Sequence, residues 1–321
     1  MKTTPALKAG DRALQRSEPG TVMPTFGTAR CPSRPATSHE AGQSYLGNQS
    51  VSTLESVKPI NPPVAYIGGK RLLAKRIVPR IARVPHKLYA EPFIGMGGIF
   101  FRRPSKPKAE VINDVSGDVS TFFRILQRHY VPFMDMLRYQ ITSRKHFERL
   151  VKTKPETLTD LERAARFLYL QTVAFGGKVM GRNYGVNFDR GAPFDVSRLR
   201  PLLDDVHERL ASVNIECLDW HPFIDRYDRP GTLFFLDPPY WGCEDDYGKD
   251  VFSPEDFAQL AERLAKVKGH FILTLNDTPE VRDLFARFHM EPVGLTYSVG
   301  TQPVKARELI ISDFEEAVAP V

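Results

Sequence analysis

From about residue 59 onward, short apolar runs bounded by turn residues alternate with stretches whose apolar positions recur every three or four residues. Thr232–Leu236 is the clearest run: it is entered through Gly231 and closed by Asp237-Pro238-Pro239, and its unbroken apolar character predicts a parallel strand buried on both faces. Ala109–Asn113, 213–218 and 270–275 have the same form, and a further run ends at Glu91. Between them the spacing of Leu72, Leu73, Ile77 and Ile81 predicts a helix, as do the patterns over Val196–Leu210 and 254–266. Two last apolar runs, 293–299 and 308–314, read as a terminal hairpin. Strand and helix in alternation predict an α/β fold on a sheet of about seven strands.

Two stretches depart from the alternation. Residues 1–58 are rich in Ser, Thr, Pro, Gly and Ala, hold one aromatic pair in Phe26 and Tyr45, and show no period, so they are expected to be a disordered extension. From Gly117 to about Ala174 helical spacing takes over, followed by a loop or hairpin at 176–194 rich in glycine, arginine, asparagine and aromatics. The expected organisation is therefore an extension over 1–58, one domain over 59–120 and 196–321, and an inserted, mainly helical subdomain over 121–195.

Charge sharpens the picture of the insert. The chain of 321 residues carries a net +6 overall, yet residues 121–190 alone hold thirteen Lys/Arg against six Asp/Glu. Such a concentration is the footprint of a phosphate-backbone partner, though solvated helix faces produce it too. Arg182, Asn183, Tyr184, Asn187 and Arg190 supply side chains able to read base edges and phosphates. With 42% hydrophobic residues the chain can bury a full core, and no apolar run approaches the ~20 residues of a membrane span. The N-terminal segment lacks the apolar stretch of a secretory signal, so the cytoplasm is the expected compartment, and the prolines of that segment oppose a transit helix. Cys31, Cys217 and Cys243 are too far apart for a zinc site or a disulfide framework and read as free thiols.

Candidate chemistry gathers at strand ends. Gly68-Gly69-Lys70 leads into the first helix, where free backbone N–H groups and a lysine suit an anion, although the spacing fails the full phosphate-loop pattern. Gly95-Met96-Gly97 forms a turn after the Glu91 strand, and Asp114 follows Gly95 by nineteen residues at the end of the next. That is the distance at which an acid binds the ribose of a cofactor lying on the turn; the missing third glycine weakens a dinucleotide reading. Asp237-Pro238-Pro239-Tyr240 presents a carboxylate, a prolyl carbonyl and a ring in stiff geometry, a set suited to a planar base with an exocyclic amino group.

The ordered set Tyr66-Ile67-Gly68-Gly69-Lys70, Glu91-Pro92-Phe93-Ile94-Gly95-Met96-Gly97, Asn113-Asp114 and Asp237-Pro238-Pro239-Tyr240 resembles the motifs of the Dam-like DNA adenine methyltransferases. The likeness runs from Pro59 to about Asp313 and includes the Ala306-Arg307-Glu308-Leu309-Ile310-Ile311 ending. It implies a Rossmann-like, S-adenosylmethionine-dependent methyltransferase sheet, with Tyr66, Lys70, Glu91, Gly95, Gly97, Asp114 and Asp237 around the cofactor and Asp219 toward its adenine. It also implies Asp237, Pro238, Pro239 and Tyr240 as the catalytic set, and Arg182, Asn183 and Tyr184 as contacts to double-stranded DNA. Tyr66 stands where many relatives have Trp, Gly98 where a small hydroxyl residue is common, and the Arg182 segment matches no single recognition loop, which leaves the target sequence open. A bacterial or phage origin follows from the resemblance alone, and a monomer without metal is expected.

On this reading the target adenine is extruded from the duplex and stacked on Tyr240, while Asp237 and the Pro238 carbonyl accept its amino hydrogens. Methylation of another planar amino group, on cytosine, RNA or a protein glutamine, stands as the alternative, as does a catalytically inactive DNA-binding relative.

Overall fold

Five strands of one sheet place buried apolar residues in two core layers, and they do so by the strand's period of two. The structure is a computed structural model that describes residues 54–64, 66, 69–174, 179, 181–185, 192, 194–244, 252–299 and 302–315. In chain order the elements begin with β1 (Glu55–Ser56), α1 (Ala74–Arg83), β2 (Leu88–Glu91), β3 (Ser105–Lys106) and β4 (Ala109–Asn113). Five helices follow: α2 (Gly117–Arg128), α3 (Tyr130–Arg138), α4 (Arg144–Lys152), α5 (Asp160–Val173) and α6 (Val196–Leu210). Then come β5 (Asn214–Glu216), α7 (Trp220–Tyr227), β6 (Thr232–Leu236), α8 (Pro254–Leu264), β7 (His270–Asn276), α9 (Pro279–Leu284), β8 (His289–Val299) and β9 (Gln302–Ser312).

Seven of the strands form one sheet in the order β5-β4-β2-β6-β7-β9-β8, parallel from β5 to β7, with β9 running antiparallel to both β7 and β8. On β6, Leu233 and Phe235 enter one core layer and Phe234 and Leu236 the other; Tyr89 and Ala90 of β2, and Ile112 and Val111 of β4, divide the same way. The unbroken apolar run of β6 is thus a strand packed on both faces. Helices α1 to α6 cover the first face, and α7 to α9 the second. Sheet and terminal hairpin match the sequence expectation, and β4, β6 and α6 have the expected bounds.

Three features differ from expectation. Part of the supposed disordered extension is tied down: Glu55 and Ser56 pair with Lys106 and Ser105, and the ammonium of Lys58 lies 2.7 Å from Asp205. Two short edge strands left the period-based reading nothing to detect. Residues 1–53 lie outside the described residues. Helix α7, unforeseen, starts where the Asp219 carboxylate accepts the His221 N–H at 2.9 Å and buries Trp220, Phe223 and Ile224 at helical spacing. Finally, the helices of the expected insert do not stand apart. Phe133, Phe147 and Phe167 share a core layer with Tyr89 and Phe235 of the sheet.

Among the described residues no helix is long and apolar enough to cross a membrane, and Cys217 and Cys243 are exposed free thiols; Cys31 lies outside the described residues.

Candidate active site

The strand order reverses between β2 and β6: the chain passes from β2 outward to β4 and β5, then returns to β6 on the other side of β2. In an open α/β sheet the carboxyl edge at such a reversal is a crevice, because the two connections leave on opposite faces. A cleft of about 740 Å³ occupies it, and Glu91, Gly95, Asp114, Asp219 and Asp237 all line it. The acids that sequence reading placed at four strand ends are therefore brought to one opening.

On the β2 side the wall is built mainly by backbone. Gly95 and Gly97 both have positive φ, 47° and 72°. A Cβ at Gly97 would meet the Phe101 ring at 2.4 Å, and one at Gly95 would stand 3.2 Å from the Tyr66 ring, so the turn takes glycine for backbone and for space alike. Asp114 fastens the turn to β4: its carboxylate accepts the Gly95 N–H at 3.0 Å and the Ser116 N–H at 2.9 Å. Burial lifts the Asp114 carboxyl to about 6, against those two hydrogen bonds. Asn113 clips the neighbouring loops together, donating to the carbonyls of Pro92 and Leu218 at 2.9 Å each and accepting the Leu218 N–H at 2.8 Å. Glu91, at the end of β2, takes the Tyr89 hydroxyl at 2.7 Å, and its burial pushes the carboxyl up to about 8.

On the β6 side, side chains make the wall. Lys70, buried ahead of α1, places its ammonium 2.8 Å from Asp237 and 4.5 Å from the centre of the Tyr240 ring. The anion beside Gly69-Lys70 is thus a carboxylate of the protein itself. Thr274 of β7 donates to the other Asp237 oxygen at 2.8 Å. Burial raises the Asp237 carboxyl, while Lys70 and Thr274 pull the other way. The Tyr240 hydroxyl donates to Glu308, a buried residue of β9. Asn276 holds the next residue at both ends, accepting the Trp241 N–H at 3.0 Å and donating to the Trp241 carbonyl at 2.9 Å. Pro238 and Pro239 are buried between these anchors.

Sequence reasoning named Glu308 only within a terminal strand, and it gave Thr274 and Asn276 no role beside Asp237. Each lies 37 or more residues from Asp237 or 35 from Trp241, and a polar residue at a strand end carries no signal of its partner. Asp219 lines the cleft while its carboxylate caps α7.

The predicted DNA-contact residues Arg182, Asn183 and Tyr184 are not among those that line the cleft. Tyr184 is bridged to Ala174, packs its ring edge-on to Phe147 at 5.5 Å and receives the Arg144 guanidinium at 4.8 Å. Arg182 is partly buried, within electrostatic reach of Arg166, Asp118 and Tyr66, and Asn183 is exposed. Asn187, Arg190, Gly68 and Ile67 lie outside the described residues. Among the described residues no group of three or more His, Cys, Asp or Glu is arranged to hold a metal ion.

Residues 66–299 match the family model of the D12 class N6 adenine-specific DNA methyltransferase. The chain is similar to the type II methyltransferase M.CviBI of Paramecium bursaria Chlorella virus NC1A, 24% identical over 231 residues, covering 70% of this chain and 86% of that protein. It is similar also to the type II methyltransferase M1.LlaDCHI of Lactococcus lactis subsp. cremoris, at 25% over 281 residues, 79% of this chain and 96% of that one. The DNA N-6-adenine-methyltransferase of Escherichia phage P1 is 24% identical over 235 residues, which is 66% of this chain and 30% of the phage protein.

Proposed function

The chain belongs to the D12 class of N6 adenine-specific DNA methyltransferases, and on that premise we propose that the switch-point cleft holds S-adenosylmethionine while Asp237 and Tyr240 receive an adenine extruded from duplex DNA. The observation that carries the reading is the meeting at one sheet edge of two walls: the Glu91, Gly95 and Asp114 cradle, and Asp237 with Tyr240. The donor set fits such a cofactor. Asp114 suits ribose hydroxyls, Glu91 an ammonium group, and the side-chain-free Gly95 turn a closely approaching ligand. Asp219 lines the same cleft beside Trp220 and Leu218, and is assigned to the adenine of the cofactor.

When bound, S-adenosylmethionine supplies an electrophilic methyl group. The protein's own residues do the rest by position and charge. Adenine's amino nitrogen is a poor nucleophile because its lone pair is delocalised into the ring. Asp237 and the Pro238 carbonyl accept the two amino hydrogens, which favours a pyramidal nitrogen and stabilises the positive charge that develops on it. Lys70 and Thr274 hold the carboxylate still. Tyr240, fixed by Glu308 through its hydroxyl, offers its face to the base, a stacking contact worth ~1 to 3 kcal/mol. Because the amino group is paired inside a duplex, extrusion precedes capture. Arg182 and Asn183 are assigned to the DNA, with Tyr184 supporting them from the Phe147 side.

Expression in a methylation-free host, followed by mapping of modified bases, tests the reading. Methyl groups on the amino nitrogen of adenine in one sequence context are expected; modified cytosine, or unmodified DNA from an active-site-intact protein, would overturn it.

A further inference from the structure

Below the cleft floor lies a buried charged cluster that the transfer chemistry does not use. Tyr89 and Glu91 stand two residues apart on β2, and so on the same face of the sheet. The Tyr89 ring is fully buried, with Phe100 at 6.4 Å and His86 at 6.3 Å between ring centres. The Arg103 guanidinium lies 3.6 Å above it. Arg103 is paired with Glu110 of β4, and Glu110 takes Arg209 of α6 through both oxygens at 2.6 and 2.7 Å. Arg209 in turn rests 4.2 Å from the centre of the Phe100 ring. The phenol is held from several sides, and its hydroxyl donates to Glu91 at 2.7 Å.

The charges of this cluster act on Glu91. Two guanidinium groups share one carboxylate, Glu110, and Arg103 keeps Nε and Nη1 without a hydrogen-bond partner among the described residues. One positive charge is therefore in excess below the floor, and Glu91 is the carboxylate nearest the cleft that can balance it. The charged and titratable groups that act on Glu91 are Tyr89 and Arg103, which favour its ionised form, and Asp237 and Glu110, which oppose it. A buried carboxylate at a cleft floor is otherwise free to rotate or to keep a proton.

We propose that Tyr89 is a positioning residue for cofactor binding: clamped beneath Arg103, its hydroxyl holds the Glu91 carboxylate in the one orientation that receives an ammonium group in the cleft. The inference rests on the reading of the cleft as the cofactor site.

The test measures binding of S-adenosylmethionine to the full chain by calorimetry between pH 6 and 9, without DNA, for the wild type, Tyr89→Phe and Glu91→Gln. A hydrogen bond to a charged group is worth ~1.5 to 3 kcal/mol, so Tyr89→Phe is expected to weaken binding by roughly ten- to a hundredfold near neutrality. Because the lost bond favoured ionised Glu91, the pH below which binding fails should also move upward. Glu91→Gln should bind weakly with that pH dependence removed. Wild-type affinity in a folded Tyr89→Phe, or weaker binding with an unmoved pH profile, would overturn the positioning role. If instead Glu91→Gln keeps both the affinity and the profile of the wild type, it is the placement of the cofactor against Glu91 that fails.

Discussion

The two walls of the cleft are held in place by different means. The Gly95 turn is held by backbone: two glycines in the left-handed region and two N–H groups accepted by Asp114. The Asp237 loop is held by side chains from three separate parts of the chain, Lys70 ahead of α1, Thr274 and Asn276 on β7, and Glu308 on β9. A backbone device fails all at once when a side chain is forced into it. A side-chain device fails by degrees, one contact at a time, and with a dependence on pH.

Gly97→Ala breaks the comparison most severely. The added methyl meets the Phe101 ring and the residue must keep a positive φ; left-handed strain and overpacking together are expected to cost roughly 2 to 5 kcal/mol. Denaturant unfolding measures it, and a midpoint equal to wild type would show that the turn is not held by glycine geometry.

Next in size is Lys70→Met, which keeps the apolar stem and removes the charge. Leaving Asp237 without its cation is expected to destabilise the fold by about 3 kcal/mol, the low end for a broken buried pair, since Asp237 borders the open cleft. The sign of the pH effect follows. Lys70 lowers the Asp237 carboxyl against the burial that raises it, so without Lys70 the proton is held to higher pH. The ionised form is the stronger acceptor and alone offsets the positive charge developing on the nitrogen, and the acid limb of the rate profile should therefore shift upward. An unshifted limb would mean that Asp237 does not titrate in that limb or is not coupled to Lys70.

Asn276→Ala is the mildest of the three and sharpens the contrast. It frees the Trp241 backbone while leaving the Gly95 wall intact, at a cost of ~1 to 2 kcal/mol. Transfer should slow about tenfold with cofactor affinity unchanged, a split read from single-turnover rates and calorimetry. Equal loss in both would join the two walls into one structure.

This contrast also explains what could be read from residues alone. The β2 wall was legible because its logic is local: glycines in a turn and an acid nineteen residues on are patterns of type and spacing. The sheet was legible for a similar reason, since β6 and β4 are apolar runs with clear boundaries. The supports of Asp237 were not. Thr274 looks like an ordinary strand residue until the parallel register of β6 and β7 sets it beside Asp237, and Glu308 until the antiparallel register of β7 and β9 sets it opposite Asn276, where Tyr240 reaches it. Lys70 was named for an anion, yet that the anion would be Asp237 needed the fold. Tyr89 gave no signal at all, because a tyrosine in a buried strand reads as core until its hydroxyl is seen to reach Glu91.

The central claim is that Asp237 accepts the amino hydrogens of a captured adenine, and single-turnover methyl transfer by Asp237→Ala and Asp237→Asn tests it most directly. Alanine is expected to lower the rate by at least ~10² to 10³, the loss seen when one preorganised polar group is removed from a transition state. Asparagine, whose amide oxygen still accepts one hydrogen bond, should lose less. Transfer by Asp237→Ala at the wild-type rate would contradict the account.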